Sequence, residues 1–524
     1  MVSTSLFAVL FALLLAYLLD ACFCHRRHSQ EPPYVRPRIP LVGHALGLAL
    51  HGSRYYDIVR ISPGQPEIFT LPIFSFRIYV LNSRHLFPVI IRNARTLSFR
   101  PFAQLASRVW CSVSEPFMQM HEEGHRWIED LFRDTRNALA VGSHLDYQNL
   151  MAGESLKNFI DQLDEDVGIE GKKRFNIYKW IHHTITVAAS DGVYGKNNPF
   201  RDPAVENDYW YVIWAQGIKK QTAKLPSAFL RKELAARERL FKAFEKYWTS
   251  DWSDAAEITK SRKRLYDRDE VALRDQAAHQ ASFNLALLGN TIPTSFWALY
   301  DIFTRPELLK AIRAEIETNA LIKRAVNGCS TFELDVAALR NKCPLLLSSF
   351  QESQRTKSIH AMIREVISDT LIESSTTKMK YFLAQGQYVQ MPSGPIHKDV
   401  NIWGPNAADF DPYRFTKGTS VLPKSELPNS YAFLPWGSPP HLCPARQFAS
   451  TEVLLFIALM ALRFEFLQAG GGAWKTLGVK TGELVTILPP TDEVLLDIGK
   501  REGFQGFWIV KMGESSQKVP LASG

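Results

Sequence analysis

The apolar positions of this chain fall into distinct regimes. Residues 5–24 (SLFAVLFALLLAYLLDACFC) are almost continuously apolar, interrupted by Asp20. From about 120 to 380, apolar residues recur at three- and four-residue spacing, as in HRWIEDLFRDTRNALAV (125–141) and RPELLKAIRAEIETNALI (305–322). That period predicts amphipathic helices. EIFTLPIFSFRIYVLNS (67–83) alternates instead, with aromatic and β-branched residues and a proline interruption, and reads as strands. Short strand patterns return near 372–391 and 484–511. Two stretches, FNLALLGNTIPTSFWALYDIF (283–303) and ARQFASTEVLLFIALMALRFEF (445–466), are apolar on nearly every face. Such helices belong in a core. The expectation is a mainly α chain with minor β, without repeats and without a clean domain break beyond residue 50.

The first apolar run is long enough, at ~1.5 Å per residue, to cross a ~30 Å hydrocarbon layer. No positive residue precedes it, and HRRH (25–28) follows directly. This asymmetry predicts an uncleaved single-pass anchor with its N-terminus lumenal and the main body cytosolic. Next comes PPYVRPRIPLVGHALG (32–47), stiffened by prolines 32, 33, 37 and 40. The expected organisation is an anchor (1–24), a basic, proline-rich hinge (25–44) and a catalytic body (45–524).

Composition narrows the function classes. The six cysteines are scattered without metal-type pairs, and 46% of the 524 residues are hydrophobic. This is no disulfide scaffold. The net charge of +8 suits an acidic protein partner or an anionic membrane, and no nucleic-acid motif accompanies it.

Candidate chemistry concentrates in PWGSPPHLCPARQFA (435–449). Cys443 stands just before a buried helix, where unpaired N–H groups and the helix dipole favour a thiolate. Gly437 and prolines 435, 439 and 440 restrict the loop. A thiolate with aimed N–H donors suits soft iron, and a structural core cysteine is the plain alternative. Upstream, ESQR (352–355) puts Glu352 and Arg355 on one helix face. Arg414 of DFDPYRF (409–415) is available to join them. In the 283–303 helix, Pro293 cannot donate to the carbonyl of Gly289, so a kink is expected, with Asn290 and Thr291 in the opened turn.

Taken in order, the kinked helix, the ExxR pair, FDPYRF and the cysteine loop resemble a cytochrome P450, over essentially the whole chain. The family signature PFGxGxRxCxGRxxA stands here as PWGSPPHLCPARQFA. The resemblance implies the cytochrome P450 fold and haem b, with Cys443 as axial iron ligand. It implies propionate contacts from His441, from Arg364 and from an early helix, for which Arg126 is the candidate. Glu352, Arg355 and Arg414 take the place of the family's structural triad. Asn290 and Thr291 take the place of the proton-delivery pair, and Phe283, Leu287 and Ile359, with segment 101–118, are expected at the substrate pocket. It further implies electrons from NADPH through cytochrome P450 reductase, an endoplasmic-reticulum membrane location and a bulky lipophilic substrate such as a terpenoid, steroid, alkaloid or polyketide of secondary metabolism.

Three departures stand out. Trp436 replaces phenylalanine, Pro439 and Ala445 replace glycines, and Asn290 replaces an acid. The GNTIPTSFW segment is similar to that of cholesterol 7α-hydroxylase and its relatives, which hydroxylate with asparagine at that place. Prostacyclin synthase, of the same wider group, isomerises without oxygen activation and lacks the threonine. Thr291 therefore points to a monooxygenase; an isomerase or dehydratase acting on an oxygenated substrate without external electrons is the alternative.

Overall fold

The computed structural model describes residues 28–60, 66–122, 125–214, 217–222, 225–326, 329–359, 362–416, 431–439, 441–480, 485–513 and 518–523, together with Phe11, Leu14, Tyr17 and Leu18. Apart from those four residues, the expected anchor (1–24) lies outside the described residues, as does Pro440. No helix among the described residues is long and apolar enough to cross a membrane.

Helices dominate, as the three-to-four-residue period implies. The 125–141 pattern becomes α1 (Trp127–Ala138), and 305–322 becomes the helix Pro306–Asn319. The long kinked pattern becomes two helices, α2 (Leu273–Leu288) and α3 (Thr291–Phe303). ExxR lies on α4 (Pro344–Lys357), and the cysteine loop leads into α5 (Arg446–Arg463). Every residue of α5 from Gln447 to Arg463 is buried. It packs against α3, α4 and the long helix Ser143–Glu170. An all-apolar surface stabilises a helix only when neighbours surround it, at ~25 cal/mol per Å² removed from water.

The alternating stretch 67–83 forms the antiparallel pair Ile68–Ile73 and Phe76–Leu81, Ile68 opposite Leu81. Tyr388–Met391 joins parallel to the second strand, and Met362–Val366 and Leu97–Ser98 complete five strands. The free edge is covered by the proline-rich strap: Val35 N–H donates to Thr70 O, and Thr70 N–H donates to Pro33 O. Buried Glu31 fixes the strap further through Arg77 (2.8 Å) and the Tyr79 hydroxyl (2.9 Å). Some strands had no sequence signal: the hairpin of Leu321–Val326 with Cys329–Asp335 and the strand Lys173–Asn176 lie inside the otherwise helical region, and Phe464–Gln468 is a strand where the helical pattern ran on to 466.

A buried ionic network sets the position of the cysteine loop. Arg355 donates to both oxygens of Glu352 at 2.7 Å, and Arg414 Nε reaches Glu352 Oε1 at 3.0 Å. The remaining guanidinium nitrogens meet backbone carbonyls. Arg355 reaches His397, Ala407 and Asp409, and Arg414 reaches Trp403 and Asn406. The path then runs onward. His397 accepts the Leu434 N–H at its Nε2 (3.0 Å), and Leu434 precedes the cysteine loop. Burial holds His397 far below the usual histidine range, to about 3, so that nitrogen stays an acceptor. The start of α4 is fixed too, because Glu315 accepts the N–H groups of Leu345 and Leu346, both at 2.9 Å.

Midway along α5, Glu452 is buried with neither oxygen hydrogen-bonded. Its surroundings (Asn149, Gly153, Phe448, Thr451, Leu455 and Met512) carry no charge. Burial alone pushes its carboxyl up to about 8, from 4.5. Above pH 4.5 the unfolded chain gives up this proton while the folded one keeps it. The stability linked to Glu452 is therefore complete below about pH 4.5 and falls toward pH 8, by about 1.4 kcal/mol per unit. Glu452→Gln is expected to flatten that dependence and to be the more stable protein at pH 8. Urea unfolding of both proteins at pH 6 and pH 8 checks this; equal slopes with pH would refute it.

Candidate active site

The cysteine loop is held by its own backbone. Cys443 N–H donates to Trp436 O at 2.9 Å, and Gly437 N–H donates to Leu434 O at 3.3 Å. Gly437 has a φ of 78°, a conformation only glycine adopts without strain. No side chain caps α5 at Ala445. The sulfur does so instead, accepting the N–H groups of Ala445 and Arg446. These donors and the Arg446 charge pull the thiol downward, but burial is the larger effect and the net shift is upward. The helix terminus alone therefore does not produce the expected thiolate. A bound metal does, because a coordinating thiol loses its proton outright.

Cys443 opens on a cavity of about 260 Å³ whose walls are mostly apolar. Facing residues come from the break between α2 and α3: Ala286, Leu287, Asn290 and Thr291. Three features make that break. Pro293 has no N–H for the Gly289 carbonyl. A Cβ on Gly289 would lie 2.8 Å from Leu285 O, so nothing larger fits. The Asn290 carbonyl accepts both the N–H (3.1 Å) and the hydroxyl (2.6 Å) of Thr294. The two polar side chains of the turn already have partners. Asn290 Oδ1 accepts the Thr486 N–H at 2.8 Å, and the Thr291 hydroxyl donates to Leu287 O at 2.9 Å. Asn290 thus pins the 486–488 segment over the cavity, and Trp297 does the same through Leu488 O at 2.8 Å.

Arg364 also lines the cavity, on the strand Met362–Val366. It is buried; Nη1 donates to Ile363 O (2.8 Å), and Nη2 has no partner. Burial lowers its pKa to about 10. His441, tilted against Phe99 and edge-on to Phe132, is lowered to about 4 by burial, then by Arg364 and Arg136. An acidic group entering here meets a buried guanidinium with an unused donor.

Several expectations need correction. Arg126 is exposed at the start of α1 and does not line the cavity. Arg136, ten residues on and so roughly 15 Å along the helix, is the α1 arginine whose charge reaches His441. The signal was F-x-x-x-R (132–136), which sets an aromatic and an arginine on one face. Phe283 lies under the Arg262 guanidinium at 4.7 Å rather than on the cavity wall. Ile359 contributes a backbone bond to Thr486 O (3.1 Å) but does not line the cavity. Segment 101–118 stands back, and Phe99 takes its place on the wall. Leu287 lines the cavity. Gln354 also lines it, with a buried, unpartnered Oε1 that nothing in the sequence indicated.

A sulfur that caps a helix beside a buried, unpaired guanidinium is the donor set for a dianionic, iron-centred ligand such as haem. These residues define the class: a haem-thiolate protein. The cytochrome P450 family model matches residues 32–494, and the chain belongs to that family. The chain is 29% identical over 503 residues to the cytochrome P450 monooxygenase nodJ of Hypoxylon pulicicidum, covering 94% of this chain and 95% of that one. It is 25% identical over 513 residues to a cytochrome P450 monooxygenase of Gibberella zeae, covering 94% and 93%. Over 204 residues, 37% of this chain and 40% of the other, it is 32% identical to the 5-beta-cholestane-3-alpha,7-alpha-diol 12-alpha-hydroxylase of Sus scrofa. The protein is an oxidoreductase that uses haem iron.

Arg364→Met is expected to lower haem content several-fold, measured as haem per polypeptide. The apoprotein should gain about 1–3 kcal/mol, because an unpaired buried charge is gone. Unchanged haem content would show that Arg364 does not hold the cofactor.

Proposed function

We propose that this protein is a membrane-anchored monooxygenase that oxidises a bulky lipophilic substrate with dioxygen and NADPH-derived electrons. The observation that carries the reading is an apolar cavity with Cys443 on one wall and the Asn290–Thr291 break on another. Haem bound through Cys443 supplies dioxygen activation and oxygen insertion into an unactivated C–H bond.

The chain's own residues do the rest. Ala445 and Arg446 N–H groups stabilise negative charge on sulfur, which tunes its donor strength. Arg364, with His441 and Arg136 near it, would hold the haem propionates. The Glu352–Arg355–Arg414 network holds the loop. The Thr291 hydroxyl, which donates to Leu287 O at rest, would be the group that hands a proton into the cavity, and Asn290 keeps the 486–488 segment closed over the site. Ala286, Leu287, Val453 and Ile487 exclude water and accept an apolar skeleton.

Residues 1–24 anchor the protein in the endoplasmic reticulum membrane with the body cytosolic, and the hinge 25–44 passes the chain to the sheet. Electrons come from NADPH–cytochrome P450 reductase. Two fungal monooxygenases match at nearly full length, which supports a place in fungal secondary metabolism. The partial match to a hydroxylase of a cholestane diol supports a polycyclic substrate such as a terpenoid or steroid.

A carbon monoxide difference spectrum of dithionite-reduced membranes is expected to show a strongly red-shifted Soret band, lost in Cys443→Ala. Well-folded protein without that band refutes the haem-thiolate site. Thr291→Ala is expected to keep the band and to consume NADPH while forming at least about tenfold less product per NADPH, since general-acid assistance contributes ~10²–10⁴. Unchanged product yield would remove Thr291 from the proton path.

A further inference from the structure

Ser282 and Ala286 share one side of α2, and Asn290 follows four residues on, at the start of α3. Ala286 and Asn290 line the Cys443 cavity; Ser282 lines a second, smaller cavity of about 20 Å³. Its other walls include Trp110, Arg237, Leu240 and Phe241. Eight residues of helix separate Ser282 from Asn290, so the two levels stand on the order of 12 Å apart.

The wall of this second space carries positive charge. The Arg237 side chain is 12% exposed, and its Nε is buried without a partner. Its Nη1 donates to Gln221 and its Nη2 to Glu238, both at 3.2 Å. Arg274 lies 4.4 Å from the Phe241 ring centre; Nη2 reaches the same Glu238 carboxylate, and Nη1 is buried without a partner. Buried Arg262 completes the group, bonded to neutral Gln280, Tyr266 and His279. All three charges act on the buried Cys111 thiol, which is itself hydrogen-bonded to Ser282. The nearest acids are already engaged. Glu238 is shared by two arginines, and Asp275 is held by the backbone N–H and hydroxyl of Ser114.

Two buried guanidinium donors without acceptors, Arg237 Nε and Arg274 Nη1, are unfavourable. A wall that only packed would use leucine or methionine. We propose that Arg237, assisted by Arg274, binds the carboxylate of the substrate, so that the oxidised molecule is a lipophilic acid. The space takes one water-sized group, the size of a single carboxylate oxygen, beside the Arg237 side chain. Arginine suits this task because it stays charged when buried and its free Nε–H makes a charge-assisted hydrogen bond to a carboxylate oxygen. The ~12 Å offset sets the oxidised carbon at the far end of the skeleton from the acid. The proposal rests on the Cys443 cavity being the oxidation site.

The test is a spectral titration of the purified holoenzyme at pH 7.5, following the substrate-induced Soret shift. The probes are dehydroabietic acid and palmitic acid, each beside its methyl ester. The wild type is expected to bind acid at least tenfold more tightly than ester. Arg237→Met should bring the two within twofold without weakening the ester, and Arg237→Lys should keep part of the preference. Thermal unfolding of Arg237→Met should match or exceed the wild type, because the vacant site has an unpaired charge. Equal binding of acid and ester by the wild type overturns the proposal. So does a variant that keeps the preference, or one that unfolds several degrees lower, which would make Arg237 a structural strut. A carbon monoxide spectrum of the same preparations separates the two readings. Its red-shifted band with equal acid and ester binding sinks the acid site alone, and its absence sinks the haem-thiolate reading.

Discussion

The buried Glu352–Arg355–Arg414 network is the constraint on which the rest of the structure depends. All three side chains are removed from water, with 0%, 0% and 3% of their surfaces exposed. Three charges in a core are tolerable only when every donor and acceptor is met, and here five backbone carbonyls of the 397–409 region complete the set. The network therefore fixes a long irregular segment that has little regular hydrogen bonding of its own. Through His397 and Leu434 that segment fixes the cysteine loop. The Cys443 sulfur lies at the end of this path, presented by a loop whose shape other residues determine.

The opposite wall is built by a different device. A proline and a glycine interrupt an otherwise continuous apolar helix, and the polar groups so released are taken up locally. Asn290 and Trp297 reach across to residues 486–488, tying the broken helix to a segment about two hundred residues later in the chain. The asparagine, an acid in most of the family, is here first a clamp. An asparagine side chain can accept one backbone N–H and keep an amide for the cavity, and it carries no charge into a dry site. Thr291 remains the hydroxyl of the turn, hydrogen-bonded at rest to the carbonyl one turn back.

Charge is distributed unevenly around this apolar interior. Near the sulfur, one guanidinium of Arg364 waits for an acidic group, which the haem propionates match in kind. Farther up α2, a cluster of three arginines has only a shared carboxylate to answer it. In both places the physical argument is the same: an unpaired donor inside a protein is unfavourable until its ligand arrives. The buried acid of α5 is the converse case, a carboxyl kept neutral because nothing charged lies beside it.

Local chemistry was legible in the sequence. Helical and alternating periods gave the helices, the first sheet hairpin and the buried character of α5, because side-chain direction follows backbone period. The ExxR pair, Arg414, Pro293 and the cysteine before α5 could be assigned because each acts within a turn or two of itself or belongs to a motif of fixed spacing. The remaining site residues depended on which faces meet. Arg126 and Arg136 lie on the same helix, and only the packing of α1 against the cysteine loop decides that the second, not the first, approaches His441. Phe283 and Leu287 are one turn apart, yet Arg262 covers the first and the cavity takes the second. The state of the cysteine was undecided too, since the helix terminus lowers the pKa of the thiol while burial raises it, and burial is a property of the assembled core. The sequence by itself determined most of the elements, the cysteine before α5 and the ionic network. Tertiary structure decided which side chains surround the Cys443 cavity, because that depends on contacts between segments hundreds of residues apart.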